Sequence, residues 1–123
     1  VPEAVEASRL LKQEGVFANV INVTSPDRLF RGFQEVVSAS MAGRAKSQTF
    51  LANVISSDER ISPVVTVLDG HPHTLAWIGG ALGTKVFPLG VSRFGQSGAR
   101  QDIYREYQID VNSIMAVCLG ALE

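Results

Sequence analysis

The stretch Ser62–Gly80, SPVVTVLDGHPHTLAWIGG, decides the fold. Ser62–Leu68 is short and almost wholly apolar, which suits a strand buried on both faces, as in a parallel sheet. Asp69-Gly70 is ordinary turn chemistry, and Pro72 between two histidines favours a turn or an extended dipeptide. A helix is predicted from about Thr74 to Leu82, ended by Gly83. Strand, turn and helix in that order make one unit of an α/β domain.

Working outward, the same alternation recurs. "KVFPLGV" (Lys85–Val91) reads as the next strand, and Pro88 places it at a sheet edge or a bulge because proline removes a ladder donor. Ser97-Gly98 opens a further helix through Ile103 and Tyr104. Asp110 is a good N-cap for a last helix from Val111 to about Leu122. On the amino-terminal side, Thr49–Ser56 favours a short helix over a strand, and Gly43–Gln48 reads as a loop. Ser25-Pro26-Asp27 opens a helix whose apolar positions Leu29, Phe33, Val36 and Val37 follow helical spacing to about Met41. "VFANVINV" (Val16–Val23) is rich in β-branched residues and reads as a strand. The first helix begins near Pro2, presents Ala4, Ala7 and Leu11 on one face, and closes at Gly15. The expected architecture is therefore a single α/β domain over residues 1–123, layered α/β/α around a mainly parallel, mixed sheet. A helix opens the order, so a strand before Val1 would complete it, and the chain reads as a fragment of a larger enzyme.

Composition narrows the function. The 123 residues carry 11 basic and 12 acidic side chains, a net charge of −1, which argues against a nucleic-acid or anionic-membrane partner. No apolar run approaches the roughly 20 residues needed to cross a bilayer. The one cysteine, Cys118, cannot staple the fold, which points to a reducing, cytoplasmic compartment. It sits in the apolar run Ile114–Leu119 and is expected to be buried and inert.

Asp69, His71 and His73 have the residue types of a metal site, and two histidines two apart share one side of an extended chain. The competing reading is a plain strand-to-helix turn, and it is the favoured one. A third reading keeps a ligand without a metal: the turn follows the carboxyl end of a parallel strand, where open α/β sheets bind ligands. "FGQSG" (Phe94–Gly98) is a second such loop. Together, loops 69–74 and 94–98 define a candidate small-anion or nucleotide pocket of a regulatory module, comprising Asp69, His71, His73, Thr74, Gly95, Ser97 and Gly98. Neither a phosphate-loop nor a dinucleotide fingerprint is present. Ser25, Ser92 and Ser97 lack a legible histidine-plus-acid setting, which disfavours a serine hydrolase. Trp77, in an apolar helix, reads as core or interface.

"FGQSGARQDIYREYQID" (Phe94–Asp110) resembles the end of the transketolase-like C-terminal domain, in the form found in homodimeric pyruvate dehydrogenase first components. The residues that carry the likeness are Phe94, Gly95, Ser97, Arg100, Ile103, Tyr107, Ile109 and Asp110. "NVTSPDRLFR" (Asn22–Arg31) and "PVVTVLD" (Pro63–Asp69) are similar to earlier segments of the same family. Gly70–His73 and Ser92 depart from its usual pattern. The resemblance implies a parent enzyme that uses thiamin diphosphate and Mg²⁺, bound between its other domains. It implies a structural and assembly role for this domain, with no catalytic, cofactor-binding or metal-binding residue in the chain itself. Phe94, Gly95, Ser97, Arg100, Ile103 and Asp110 would then act structurally. The implied partners are the other domains of the parent, a homodimer or other self-association, and a 2-oxoacid dehydrogenase complex. The parent's substrate stays open between pyruvate, another 2-oxoacid and a sugar phosphate.

Overall fold

The structure, a computed structural model, describes residues 1–44, 48–91, 104–105 and 108–123. Helix α1 (Pro2–Gln13) starts where a proline is harmless, because the first N–H groups of a helix have no internal partner. Its small and apolar face is almost fully buried at Ala7 and Leu11. Helix α2 (Pro26–Met41) likewise opens on proline after Ser25, but not one of its residues is fully buried. A short helix, α3 (Phe50–Val54), resolves the ambiguous segment in favour of helix, and the hydroxyl oxygen of Thr49 accepts the Ala52 N–H at 3.2 Å to cap it.

The two described strands are β1 (Val64–Val67) and β2 (Val86–Leu89), paired in parallel with Val64 opposite Val86 and Val67 opposite Leu89. Helix α4 (Ile78–Leu82) connects them, and Gly83 ends it at φ +68, a left-handed conformation that a side chain would strain. β2 bonds to β1 along one side only among the described residues, and Pro88 stands exposed in it, as the edge reading requires. The last helix, α5 (Val111–Ala121), begins after Asp110, whose carbonyl takes the Ile114 N–H at 3.0 Å. The Asp110 carboxylate makes no backbone cap. It accepts instead from the Ser113 hydroxyl.

Helices lie on both sides of this sheet. Leu51 and Ile55 from the α3 region join Leu75, Ile78 and Leu82 in one buried cluster, against which Leu68 and Val86 of the strand segments pack. α5 packs against β1, β2 and α1, burying Ile109, Ile114, Ala7 and Leu11. The outcome is the expected α/β/α layering.

Two expectations need correction. Residues 16–23 form no ladder with any described strand. They run alongside α1, with the Val16 N–H bonded to the Leu11 carbonyl at 3.0 Å and the Ser8 hydroxyl to the Ala18 carbonyl at 2.7 Å. β-branched composition reports a shape that suits a pleated surface, not the presence of a neighbour within bonding reach. The helix expected from Thr74 is also shorter. A 3-10 turn at Pro72–Thr74 leads through tight three-residue bonds, Ala76 N–H to His73 and Ile78 N–H to Leu75, before α4 begins at Ile78. Of the helix predicted from Ser97 through Ile103 and Tyr104, residues 97–103 lie outside the described residues, and Tyr104 is helical.

Candidate functional site

The turn after β1 is the first place to look. Gly70 and Gly90 hold it: a Cβ on Gly90 would overlap the Gly70 carbonyl oxygen and lie 2.8 Å from the Pro72 nitrogen. The Val91 N–H donates to that same Gly70 carbonyl at 2.7 Å. The turns that leave β1 and β2 are thus stitched backbone to backbone. His71 caps the 3-10 turn, its Nδ1 accepting the His73 N–H at 3.3 Å. The two imidazoles stand edge to face at 4.1 Å, with their Nδ1 atoms in contact.

Asp69, His71, His73 and Thr74 are therefore brought together on one turn, and all four are exposed. Gly95, Ser97 and Gly98, the other half of the candidate pocket, lie outside the described residues, as do Phe94, Arg100 and Ile103. Among the described residues no three potential metal ligands cluster, so Asp69 does not complete a site with the two histidines. The histidine geometry is what a capped turn needs.

A concavity of about 720 Å³ opens beside this turn, and Asp69 and Thr74 lie on its wall. Its walls are residues 16–23, β1, α1 and the inner face of α5, and neither His71 nor His73 reaches it. The wall is mostly apolar, including Leu11, Leu51, Ile55, Ile78 and Ile114. One polar atom stands out. Thr66 is 6% exposed, and its hydroxyl has no hydrogen-bond partner among the described residues. An unmade bond of this kind costs about 1–3 kcal/mol. Cys118 also lines the wall, and desolvation pushes its thiol above the ordinary value, so the thiolate is disfavoured at neutral pH.

An aromatic cluster was only half legible in the sequence. Phe33 stacks on Trp77 at 5.7 Å, and Phe30 tilts against Trp77 at 5.4 Å, tying α2 to the segment that leads into α4. The Trp77 indole N–H donates to the Thr74 carbonyl at 2.9 Å. Helical spacing put Phe33 on the apolar stripe of α2, but no sequence signal paired it with Trp77. Among the described residues no helix is long and apolar enough to cross a membrane.

Comparison with known families gives one result. The model of the transketolase-like TK C-terminal domain matches residues 1–110, and the chain belongs to that family. No curated protein and no solved structure gives a match.

Proposed function

We propose that this member of the transketolase-like C-terminal domain family is the assembly domain of a thiamin-diphosphate enzyme. Within that class we favour the decarboxylating first component of a 2-oxoacid dehydrogenase acting on pyruvate in the cytoplasm as a homodimer. The observation that carries the reading is the family match over residues 1–110. The finer choice is supported by the Phe94–Asp110 motif and by the behaviour of its described end. Ile109 is 3% exposed and Asp110 opens α5, so both act in packing and helix start rather than toward a reactant.

On this reading the cofactor supplies the carbanion-stabilising chemistry from the parent's other domains. This chain's part is mechanical. It offers an apolar, strand-edged surface. Large exposed apolar side chains suit burial against neighbouring domains, notably Phe17, Met41 and Ile61.

The purified 123-residue chain is expected to give no pyruvate-dependent reduction of ferricyanide when thiamin diphosphate and Mg²⁺ are added. The longer protein that contains it is expected to turn over, and removal of residues 1–123 from it to shift its sedimentation. Turnover by the chain alone, or a longer protein that neither binds thiamin diphosphate nor decarboxylates a 2-oxoacid, would overturn the reading.

A further inference from the structure

We infer that two copies of this chain pair through α2, laid antiparallel along the seam Asp27, Phe30, Gln34, Val37, Met41 and Arg44. The pairing gives a surface to the self-association proposed above. It rests on that part of the reading alone, not on the cofactor or the substrate.

Spacing defines the seam. Its six positions are separated by three, four, three, four and three residues, the repeat that lets two helices interlock side by side. All six are exposed. Leu29 packs on the buried cluster and Phe33 on Trp77, so the inward contact of α2 uses a different face. Phe30 is 39% exposed, Val37 42% and Met41 79%, which leaves three large apolar side chains in water along one line. An apolar line on a helix about 24 Å long is what a second helix covers.

The charges choose the partner and its direction. Asp27 lies in the first turn of α2. Arg44 follows the last turn, where its N–H bonds the Ala39 carbonyl at 2.9 Å. That bond folds the chain back, and Arg44 shares a shallow concavity of about 540 Å³ with Gln34 and Ser38. Neither Asp27 nor Arg44 has an ion-pair partner among the described residues. A seam with an acid at one end and a base at the other is complementary to its own reverse. With a two-fold axis between Glu35 and Val36, Asp27 meets the second copy's Arg44, Phe30 meets its Met41 and Gln34 meets its Val37. The symmetry makes each contact twice. A parallel pair would instead set Asp27 against Asp27 and Arg44 against Arg44, like charges at both ends.

The remaining charges of α2 do not oppose this arrangement. Arg31, on the flank of the seam, stands opposite Ser40, so the two Arg31 charges lie about 13 Å apart along the axis, beyond the screening length. Arg28 and Glu35 fall on the side of α2 turned away from the seam by the helical step. Gln34, a polar residue in mid-seam, fixes the register at a cost in strength. Phe30, already held 5.4 Å from Trp77, is an anchor whose ordering is partly complete before pairing. A contact between two helices is small for a specific interface, which sets the expected dissociation constant in the micromolar to millimolar range.

The test is sedimentation velocity of the purified chain over a roughly 100-fold range of concentration reaching about 1 mM. The parent chain is expected to move from monomer towards dimer. Val37→Asp, which sets a charge in mid-seam, is expected to weaken pairing at least ~10-fold. Asp27→Arg and Arg44→Asp are each expected to weaken it at least ~5-fold, because each brings like charges together twice. Mixed one to one, these two variants carry opposite charges at both ends of the seam and are expected to pair at least as tightly as the parent. Trp77 fluorescence checks that each variant keeps the parent fold. Where a reversal unfolds the chain, Asp27→Asn and Arg44→Gln replace it and are each expected to weaken pairing at least ~2-fold. A parent chain that stays monomeric to about 1 mM, or self-association unchanged by Val37→Asp, would overturn the seam. A mixture of reversed variants no tighter than either alone would overturn the antiparallel pairing of two copies. Pairing that follows these changes in a protein with no decarboxylase activity would leave the seam standing while the functional reading fell. An active dimer indifferent to them would do the reverse.

Discussion

Replacing Gly90 by alanine probes the stitch between the two strand-end turns. Gly90 has no positive φ, so the conformational freedom of glycine is not at issue. The obstacle is contact. The new Cβ would overlap the Gly70 carbonyl oxygen and approach the Pro72 nitrogen to 2.8 Å and its Cα to 3.0 Å. All three atoms are backbone, so none can rotate away. Forcing a methyl group into a tightly packed site costs about 1–3 kcal/mol. Pushing the turns apart also breaks the Val91 N–H to Gly70 bond of 2.7 Å, a further ~1 kcal/mol. Gly90→Ala should therefore lose about 2–4 kcal/mol in urea unfolding followed by the fluorescence of Trp77. Gly120→Ala is the matched control. Its Cβ would meet nothing within 4 Å in helix α5, and the change should gain about 0.5–1 kcal/mol from helix propensity. A Gly90→Ala variant within 0.5 kcal/mol of the parent chain would show that the turns do not approach as described.

Three further outcomes follow from the same packing. Leu11→Ala, at a side chain 1% exposed, should cost about 2–5 kcal/mol by calorimetry or denaturant titration. Cys118 should react with iodoacetamide more slowly than a free cysteine at pH 7.5; because its folded value is raised, the stability tied to its protonated form is present below the ordinary thiol value. That contribution is lost as pH rises through the folded value, so alkaline unfolding should ease in Cys118→Ala. His71→Ala should cost about 0.5–1 kcal/mol through loss of the turn cap, while His73→Ala at an exposed position should stay within about 0.5 kcal/mol. Neither change should alter zinc binding measured by equilibrium dialysis.

The parts of the fold that were legible in sequence are those fixed by local chemistry. Val64–Val67 is apolar and β-branched enough to read as a strand, although only Thr66 in it is fully buried; Gly83 ends its helix in a conformation glycine favours, and Pro88 marks an edge among the described residues. What failed depended on distant partners. Residues 16–23 have the shape of a strand, but ladder formation needs a neighbour in bonding reach, which composition does not encode. The helix start near Thr74 moved because the tight three-residue bonds between His73 and Gly79 depend on where the Pro72 turn aims the chain. At the site, the sequence singled out His71 and His73 by residue type. Their capping contact, and the absence of a third ligand beside them among the described residues, are facts of three-dimensional placement. The Thr66 hydroxyl went unnoticed, since a threonine inside a β-branched run looks like packing.

The packing of α1 on α5 has a consequence for how the chain is made. These two helices come from opposite ends of the sequence, Pro2–Gln13 and Val111–Ala121, yet they bury Ala7, Leu11 and Ile114. Contacts of such long sequence separation form late, because the intervening loop must close before they are gained. During synthesis α1 emerges well before α5 and waits with its apolar face in water until α5 is available. The β1–β2 pair and its α4 connection are complete far sooner. The aggregation-sensitive interval in the folding of this domain therefore lasts until α5 docks on α1.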